Sequence, residues 1–142
     1  MRFGSYKPSE SSATVFLGFL PLWSRIGGPD AVVGVAVSGS KAYLACEQGG
    51  PKIVDLSDPS QLTLVGHSPA GHSQAAAVAG NTAYIADHFG VRLVDVSNAS
   101  APFELGFCQT RGEAYGLAGA GNLVFLADGS RGIAIVDVAD PA

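Results

Sequence analysis

The sequence repeats itself three times at a period of about 41 residues. Glycines at Gly39, Gly80 and Gly121 are 41 residues apart, and each stands in a similar phrase: VAVSGSKAYLAC, AAVAGNTAYIAD and LAGAGNLVFLAD. A fixed period of about 20 to 50 residues is typical of repeat architectures, in which each unit buries its apolar face against a neighbour. The chain is therefore predicted to fold as a stack of similar small units.

The second half of each copy reads GPKIVDLSDP, GVRLVDVSNA or GIAIVDVADP, with aspartates Asp55, Asp95 and Asp137 spaced 40 and 42 residues apart. Insertions and deletions thus fall between the two halves, where loops tolerate them. We predict that these aspartates accept backbone N–H groups in Asx-type turns that reverse the chain after the same strand. Three identical structural tasks explain them better than three catalytic carboxylates.

Each copy indicates strands rather than helices. Apolar runs of four to six residues, rich in Val, Ile, Tyr and Leu, are bounded by Gly, Asn, Asp, Ser and Pro. The segments SGSK, AGNT and AGNL are typical of tight hairpins, and each copy has room for four antiparallel strands. Four strands in about 41 residues is the size of a propeller blade. We therefore predict an all-β fold, a partial β-propeller of about three four-stranded antiparallel blades.

Composition excludes several classes of protein. Of the 142 residues, 47% are hydrophobic and 14% are charged, which excludes a disordered chain. A formal charge of -4, with eight Lys and Arg scattered singly, offers no basic surface to nucleic acid. Cys46 and Cys108 lack CxxC spacing and are predicted to be buried free thiols. The longest apolar run, residues 14–23, is too short to span a bilayer. We predict that this run forms a strand and is not a signal peptide.

The strands KIVDL, RLVDV and AIVDV, with AYLAC, AYIAD and VFLAD upstream, resemble the LVIVD-repeat propellers from about residue 35 to the C-terminus. The resemblance implies a bacterial or archaeal propeller, usually part of a larger secreted or surface-attached protein, with no established enzymatic chemistry. It therefore implies an extracellular or cell-surface location. The sequence departs from the pattern in having Cys46 where the other copies have Asp87 and Asp128. We expect the first turn to be less tightly tied.

Three copies are too few to close a ring, since propellers have about four to eight blades. We predict a segment 1–26 carrying one or more outer strands of a preceding blade, with candidates at RFGSY, Val15–Phe19 and Pro21–Ile26. Residues 27–142 would form three blades, the last lacking its fourth strand. Two outcomes stay open: the remaining blades belong to a longer chain, which we favour, or a second copy completes the ring.

In a propeller, the loops between strands two and three and those leading into each next first strand emerge on one face. Loops on a rigid scaffold are the usual place for binding residues. The predicted binding residues of this face are Glu47, Gln48, His67, His72, His88, Phe89, Arg111, Glu113 and Arg131. Arg111, Glu113 and Arg131 suit an acidic or sugar ligand. The alternative role for these residues is to form surface salt bridges. Asp87 and Asp128 are predicted to stabilise turns.

His72, His88, Asp87 and Glu113 suggest an alternative function, a metal-dependent hydrolase-type propeller with its site at the channel mouth. HxH and HxxxH pairs are absent from the sequence, so we predict neither a metal nor another cofactor. GxSxG, HExxH and phosphate-binding motifs are also absent, so we predict no enzyme. The leading hypothesis is a non-catalytic repeat module that binds a protein or glycan ligand, with no nucleic-acid partner and no membrane span.

Overall fold

The computed structural model describes residues 22, 25–27, 30–68 and 71–139, and nearly all the regular structure in these ranges is β-strand. The strands are β1 (Val32–Ser38), β2 (Lys41–Cys46), β3 (Lys52–Asp55), β4 (Thr63–His67), β5 (Ala75–Ala79), β6 (Thr82–Asp87), β7 (Gly90–Asp95), β8 (Phe103–Gln109), β9 (Gly116–Ala120), β10 (Leu123–Ala127) and β11 (Ile133–Asp137). The predicted N-terminal strands at RFGSY and Val15–Phe19 lie outside the described residues, as does part of Pro21–Ile26.

The strands form three antiparallel sheets in chain order. The first sheet is β1-β2-β3-β4, the second is β5-β6-β7-β8, and the third, over the described residues, is β9-β10-β11. Every strand pairs with the one before it in its sheet, so each sheet is a simple meander. The predicted all-β class and antiparallel strands are confirmed. No helix in the described parts is long and apolar enough to cross a membrane.

In each repeat, a two-residue hairpin turn that begins at a glycine joins the first two strands. Gly39, Gly80 and Gly121 have φ of 58°, 60° and 59°, and nothing lies within 4 Å of the position a Cβ would take. A larger side chain would therefore fit at these positions without a clash. Glycine is favoured instead by the backbone conformation, because a type II′ turn needs positive φ at its first central residue.

The aspartates that end the third strands cap the same turn in every repeat. Oδ1 of Asp55 accepts the backbone N–H of Ser57 at 2.8 Å, Asp95 accepts that of Ser97 at 2.8 Å, and Asp137 accepts that of Ala139 at 2.9 Å. These are Asx turns, in which a side-chain carboxylate replaces a backbone acceptor. The repeated aspartate thus has a local structural task in each sheet.

The sheets stack face to face, and the middle sheet takes part in two apolar cores. The core between the first and second sheets contains Tyr43, Ile53, Ala83, Ile85, Val94 and Val96. The core between the second and third sheets contains Tyr84, Ala86, Val91, Leu93, Ala114, Val124 and Leu126. Successive side chains of a strand point to opposite faces, which is how β6 supplies Tyr84 to one core and Ile85 to the other.

The first strands of the three sheets lie side by side, with β1 against β5 and β5 against β9. A Cβ on Gly34 would stand 3.0 Å from Cα of Ala75 and 3.1 Å from the carbonyl oxygen of Gln74. Glycine on β1 therefore permits the close approach to β5. This crowding explains the small residues of the inner strands, and it brings the loops at one end of the sheets together.

Candidate ligand-binding cleft

A cleft of about 810 Å³ opens where loops of the second and third sheets meet. Its lining residues are His72, His88, Phe89, Arg111, Gly112, Glu113, Tyr115, Gly129, Ser130 and Arg131. They come from the β4–β5 loop, the β6–β7 turn, the β8–β9 loop and the short 3-10 turn between β10 and β11. These connections belong to the two loop sets that the sequence places on one face.

The cleft brings together six of the nine predicted binding residues: His72, His88, Phe89, Arg111, Glu113 and Arg131. Glu47 touches this group only through its backbone, since its carbonyl oxygen accepts a hydrogen bond from Nδ1 of His72 at 2.7 Å. Gln48 is exposed in the same β2–β3 turn and does not line the cleft. His67 ends the outer strand β4, opposite Lys52, and lies outside the cleft as well.

Sequence reasoning missed Tyr115, which lines the cleft beside Glu113. Its hydroxyl donates a hydrogen bond to Oε2 of Glu113. That bond is the main cause of a raised pKa for Tyr115, because the neighbouring carboxylate favours the protonated phenol. The sequence signal for Tyr115 is an aromatic residue two positions after a charged one, in the loop that leads into the inner strand β9.

The β8–β9 loop is fixed against the third sheet through Asp128. Oδ1 of this buried carboxylate accepts the hydroxyl of Thr110 at 2.6 Å. A Cβ on Gly112 would come within 2.5 Å of the same carboxyl group, so only glycine permits this contact. Gly129 also lies close to the loop, since a Cβ there would be 3.3 Å from the carbonyl oxygen of Glu113. Asp128 therefore joins two connections of the cleft, a different bond from the backbone turn predicted for it.

Arg111, at the bend of this loop, has φ of 69° and is the only non-glycine residue with positive φ in the described parts of the chain. The left-handed conformation costs a residue with a Cβ about 1 to 2 kcal/mol. The contacts on either side, at Thr110 and Gly112, hold the backbone there. The loop thus presents a long cationic side chain at the cost of local strain.

The cleft has more positive than negative groups, although the chain as a whole carries a formal charge of -4. Two arginines, Arg111 and Arg131, face one acidic residue, Glu113. Over the described residues, the ion pairs involve Lys41, Lys52 and Arg92 and neither cleft arginine. Both guanidinium groups are exposed and open to a ligand.

The two histidines of the cleft are neighbours, with ring centroids 5.2 Å apart and the rings edge to face. A carbonyl oxygen only accepts hydrogen bonds, so Nδ1 of His72 is the donor in its contact with Glu47. When the ring is neutral, its Nε2 is then a hydrogen-bond acceptor. His88 lies edge to face with Phe89 at a centroid distance of 6.5 Å.

The carboxylate of Asp87 is fully engaged in its own turn. Oδ1 accepts the N–H groups of Phe89 at 2.8 Å and Gly90 at 3.0 Å, and Oδ2 accepts Nε of Arg92 at 2.7 Å. The set His72, His88, Asp87 and Glu113 is therefore not assembled as metal ligands. Across the described ranges, no three or more His, Cys, Asp or Glu side chains are grouped closely enough to hold a metal ion.

The first sheet replaces the missing carboxylate at Cys46 with Asp30. Oδ2 of Asp30 accepts Nζ of Lys52 at 3.0 Å, and Lys52 occupies the repeat position of Arg92. A Cβ on Gly49 would be 2.1 Å from the same oxygen, so Asp30 packs directly over the turn. A residue before β1 thus supplies the ion pair to Lys52, whereas Asp87 also accepts two backbone N–H groups of its own turn, so a less tightly tied first turn stays a prediction. Cys46 itself is a buried free thiol whose pKa is raised by burial. Cys108 is also a free thiol but is only partly buried, so the prediction of burial is wrong for it.

The comparison with protein families matches this chain three times. The model described as the LVIVD repeat covers residues 31–68, 70–110 and 111–142. The chain belongs to the LVIVD-repeat family. Each match contains one sheet of the structure, and the three LVIVD repeats confirm the family that the strand motifs predict. The first repeat begins at residue 31, slightly before the start near residue 35 expected from the sequence.

The stack of LVIVD repeats is similar to many solved structures, and three of them illustrate the likeness. The computationally designed protein Ika4 is 19% identical with a TM-score of 0.62, over 82% of this chain and 71% of that one. The designed protein Ika8 is 18% identical with a TM-score of 0.60, over 81% and 36%. The N-terminal domain of Nup159 is 11% identical with a TM-score of 0.59, over 80% and 33%. At these identities the likeness shows the fold alone, and the chain spans only about a third of the last two proteins. No curated protein matches the sequence.

Proposed function

We propose that this chain is a partial β-propeller that works as a non-catalytic interaction module and binds a protein or glycan ligand in its cleft. The observation that carries the proposal is the convergence of four connections, from two adjacent sheets, on one cleft of about 810 Å³. Clefts of this size suit ligands of several rings or residues. The stacked sheets supply the rigid frame on which such loops are held.

The carboxylates near the cleft support a binding role over a catalytic one. Asp87 bonds to Arg92 and its own turn, Asp128 bonds to Thr110, and Glu113 accepts the hydroxyl of Tyr115. A general base must be within hydrogen-bond reach of the substrate proton, and neither of the buried aspartates Asp87 and Asp128 lines the cleft. These acids are instead used to hold loops and to orient an aromatic ring.

The outer faces of the stack support the proposal that it is part of a larger ring. Val35 and Val37 on the first sheet and Ile133 and Ile135 on the third are apolar and exposed. We infer that further blades cover these faces, either blades of a longer chain, which we favour, or those of a second copy. Exposed apolar faces of this kind are typical of association surfaces. Sedimentation velocity distinguishes the two, since a closed dimer has twice the mass of the chain.

An extracellular or cell-surface location is part of the proposal and rests on the LVIVD-repeat family. Fractionation of a native host, followed by detection with an antibody against this chain, tests it. Signal in the secreted or surface fraction is expected, and signal confined to the cytosol would contradict it.

The binding role is tested by filling the cleft. Ser130 is exposed on its lining, so Ser130→Trp should block a ligand without disturbing a core. Ser40→Trp places the same side chain in the β1–β2 hairpin turn, at the other end of the strands, and is the matched control. Glycan arrays and a peptide library are probed with the unaltered chain and both variants. Binding that Ser130→Trp abolishes and Ser40→Trp retains is expected; binding equal in all three would contradict the proposal.

A further inference from the structure

We propose that the cleft binds an acidic carbohydrate, with Arg111 and Arg131 holding a sugar carboxylate while Phe89 and Tyr115 pack against the sugar rings. This inference rests on the proposed function and narrows its ligand to one chemical class. It combines three observations: two guanidinium groups without an ion pair to any described residue, two exposed aromatic rings, and hydrogen-bonding groups that suit hydroxyls.

The charge of the cleft selects an anion. Arg111 and Arg131 line it together, and neither has an ion pair over the described residues, whereas Arg92 is bound by both Asp87 and Glu104. Guanidinium groups bind carboxylates in a planar, two-pronged geometry that lysine does not offer. A concave surface also concentrates the local potential. The two arginines are therefore suited to a carboxylate.

The backbone at Arg111 supports a role in binding. Glycine or asparagine occupies a φ of 69° with less strain than arginine does. Strained residues that the surrounding structure holds in place are concentrated at functional sites. Here the surrounding contacts are those of Thr110 and Gly112 with Asp128.

Aromatic rings and hydroxyl-bonding groups favour a sugar over a simple anion or an acidic peptide. Phe89 is 60% exposed and Tyr115 is 52% exposed at the cleft, and each offers an apolar surface to the C–H face of a sugar ring. Glu113 repels an anion but accepts hydrogen bonds from hydroxyls. The carboxylate keeps lone pairs beyond the one that Tyr115 uses. A ligand that joins a carboxylate to several hydroxyls satisfies all of these groups.

Calorimetry tests the inference with three acidic probes: tetramers of galacturonate, of mannuronate and of the glucuronate-containing hyaluronan repeat. The carboxyl-reduced, uncharged form of each tetramer is its matched control, and tetraglutamate is the peptide control. We expect at least one acidic tetramer to bind, at least tenfold more tightly than its reduced form and than tetraglutamate. No binding of any of the three acidic tetramers would overturn the inference.

Two arginine variants locate the binding. Arg111→Gln and Arg131→Gln should each weaken binding about tenfold or more, because each removes a charge-assisted hydrogen bond. Lys41→Gln also removes one positive charge, but at the opposite end of the strands, in the first sheet, and should leave the affinity for the acidic tetramer unchanged. Arg111→Gly relieves the positive φ, so it should fold at least as stably as the unaltered chain and still lose affinity. Equal affinity in Arg111→Gly would overturn the inference.

The outcomes also separate this inference from the proposed function. A reduced tetramer or tetraglutamate that binds as tightly as the acidic tetramers, and that Ser130→Trp blocks, would overturn the acidic-sugar inference and leave the cleft as a binding site. Acidic tetramers that bind equally to the unaltered chain, Ser130→Trp and the arginine variants would overturn both.

Discussion

The middle sheet and the third sheet carry the same repeated motif but bury it differently. Ile53, Leu93 and Ile135 occupy one position of the repeat, and their exposed fractions are 3%, 4% and 59%. Ile53 faces the second sheet and Leu93 faces the third, whereas Ile135 faces no neighbouring sheet in the described part of the chain. Burial is therefore a property of the stack and not of the single repeat.

The first sheet shows the same contrast on its opposite face. Val37 is 64% exposed, while Val78, at the same repeat position in the middle sheet, packs against the core with the first sheet. Within the described part of the chain, the middle repeat has neighbours on both sides and each flanking repeat has one. The difference explains how near-identical residues contribute unequally to stability, and it is the reason that we infer further blades.

Truncation of the side chain at one repeat position should give the largest difference in stability between the middle and third sheets. Leu93→Ala removes a buried side chain and should lower the free energy of unfolding by about 2 to 5 kcal/mol. Ile135→Ala removes an exposed one and should cost less than about 1 kcal/mol. Urea denaturation of both variants at low protein concentration measures the contrast. Equal losses would mean that Ile135 is covered in solution, and the comparison between the sheets would fail.

Loss of the turn carboxylates should come next. Asp87→Ala leaves two backbone N–H groups without their acceptor and removes one of the two carboxylates that bind the partly buried Arg92, and it should cost about 2 to 3 kcal/mol. Asp30→Ala removes one partly exposed ion pair with Lys52 and should cost about 1 kcal/mol. Thermal unfolding of the two variants compares the sheets. A larger loss for Asp30→Ala would show that the first sheet depends on its ion pair more than the second does.

A matched pair of glycines gives a smaller effect. Gly34 and Gly116 share a repeat position, but a Cβ at Gly34 would be 3.0 Å from Cα of Ala75, and one at Gly116 would be 3.8 Å from its nearest contact, the Cβ of Ala127. Gly34→Ala should cost about 1 to 3 kcal/mol because β1 and β5 must move apart. Gly116→Ala should be neutral or stabilising by up to about 1 kcal/mol. Unfolding midpoints in urea test this, and equal values would contradict the packing described for β1 and β5.

The pH dependence of the exposed turns should be smallest and alike in both sheets. Hydrogen bonds from the backbone and side chain of Ser57 lower the pKa of Asp55, and those of the side chain and backbone of Ser97 lower the pKa of Asp95. A lowered pKa in the folded state stabilises the fold above the unfolded pKa, near pH 4, and this stability is lost as the pH falls through the folded pKa. Asp55→Asn and Asp95→Asn should each flatten the acid side of the stability profile to a similar extent. A strong effect of only one would show that turn chemistry, and not burial, separates the sheets.

Much of the fold is predictable from the sequence because its signals are local and periodic. The hairpin at Gly39, the Asx turn at Asp55 and the alternation of apolar residues each depend on a few neighbouring residues, and the repeat shows them three times. The placement of the loop sets on one face follows from the meander. His72 and Arg111 could therefore be assigned to a common surface before any contact was known.

The contacts between loops could not be predicted in the same way. The bond between Thr110 and Asp128, and the φ of Arg111 that it accompanies, depend on how the second and third sheets pack. His67 is among the predicted binding residues of the loop face, but its strand lies at the outer edge of the first sheet, away from the loops that form the lining. Periodicity identifies the face on which a loop emerges and does not give its distance from the axis of the stack.

The carboxylate of Asp30 has a consequence for exchanging repeats between positions. The first unit keeps its negative charge over Lys52 with a residue that precedes β1, while the second keeps it over Arg92 with the last residue of β6. Grafting the second unit's turn into the first place would set two acids over one cation, and the reverse graft would remove the buried carboxylate and leave the cation only the exposed Glu104. Repeats with similar sequences are thus not interchangeable. A protein designed from these repeats must include, with each repeat, the residues that precede its first strand.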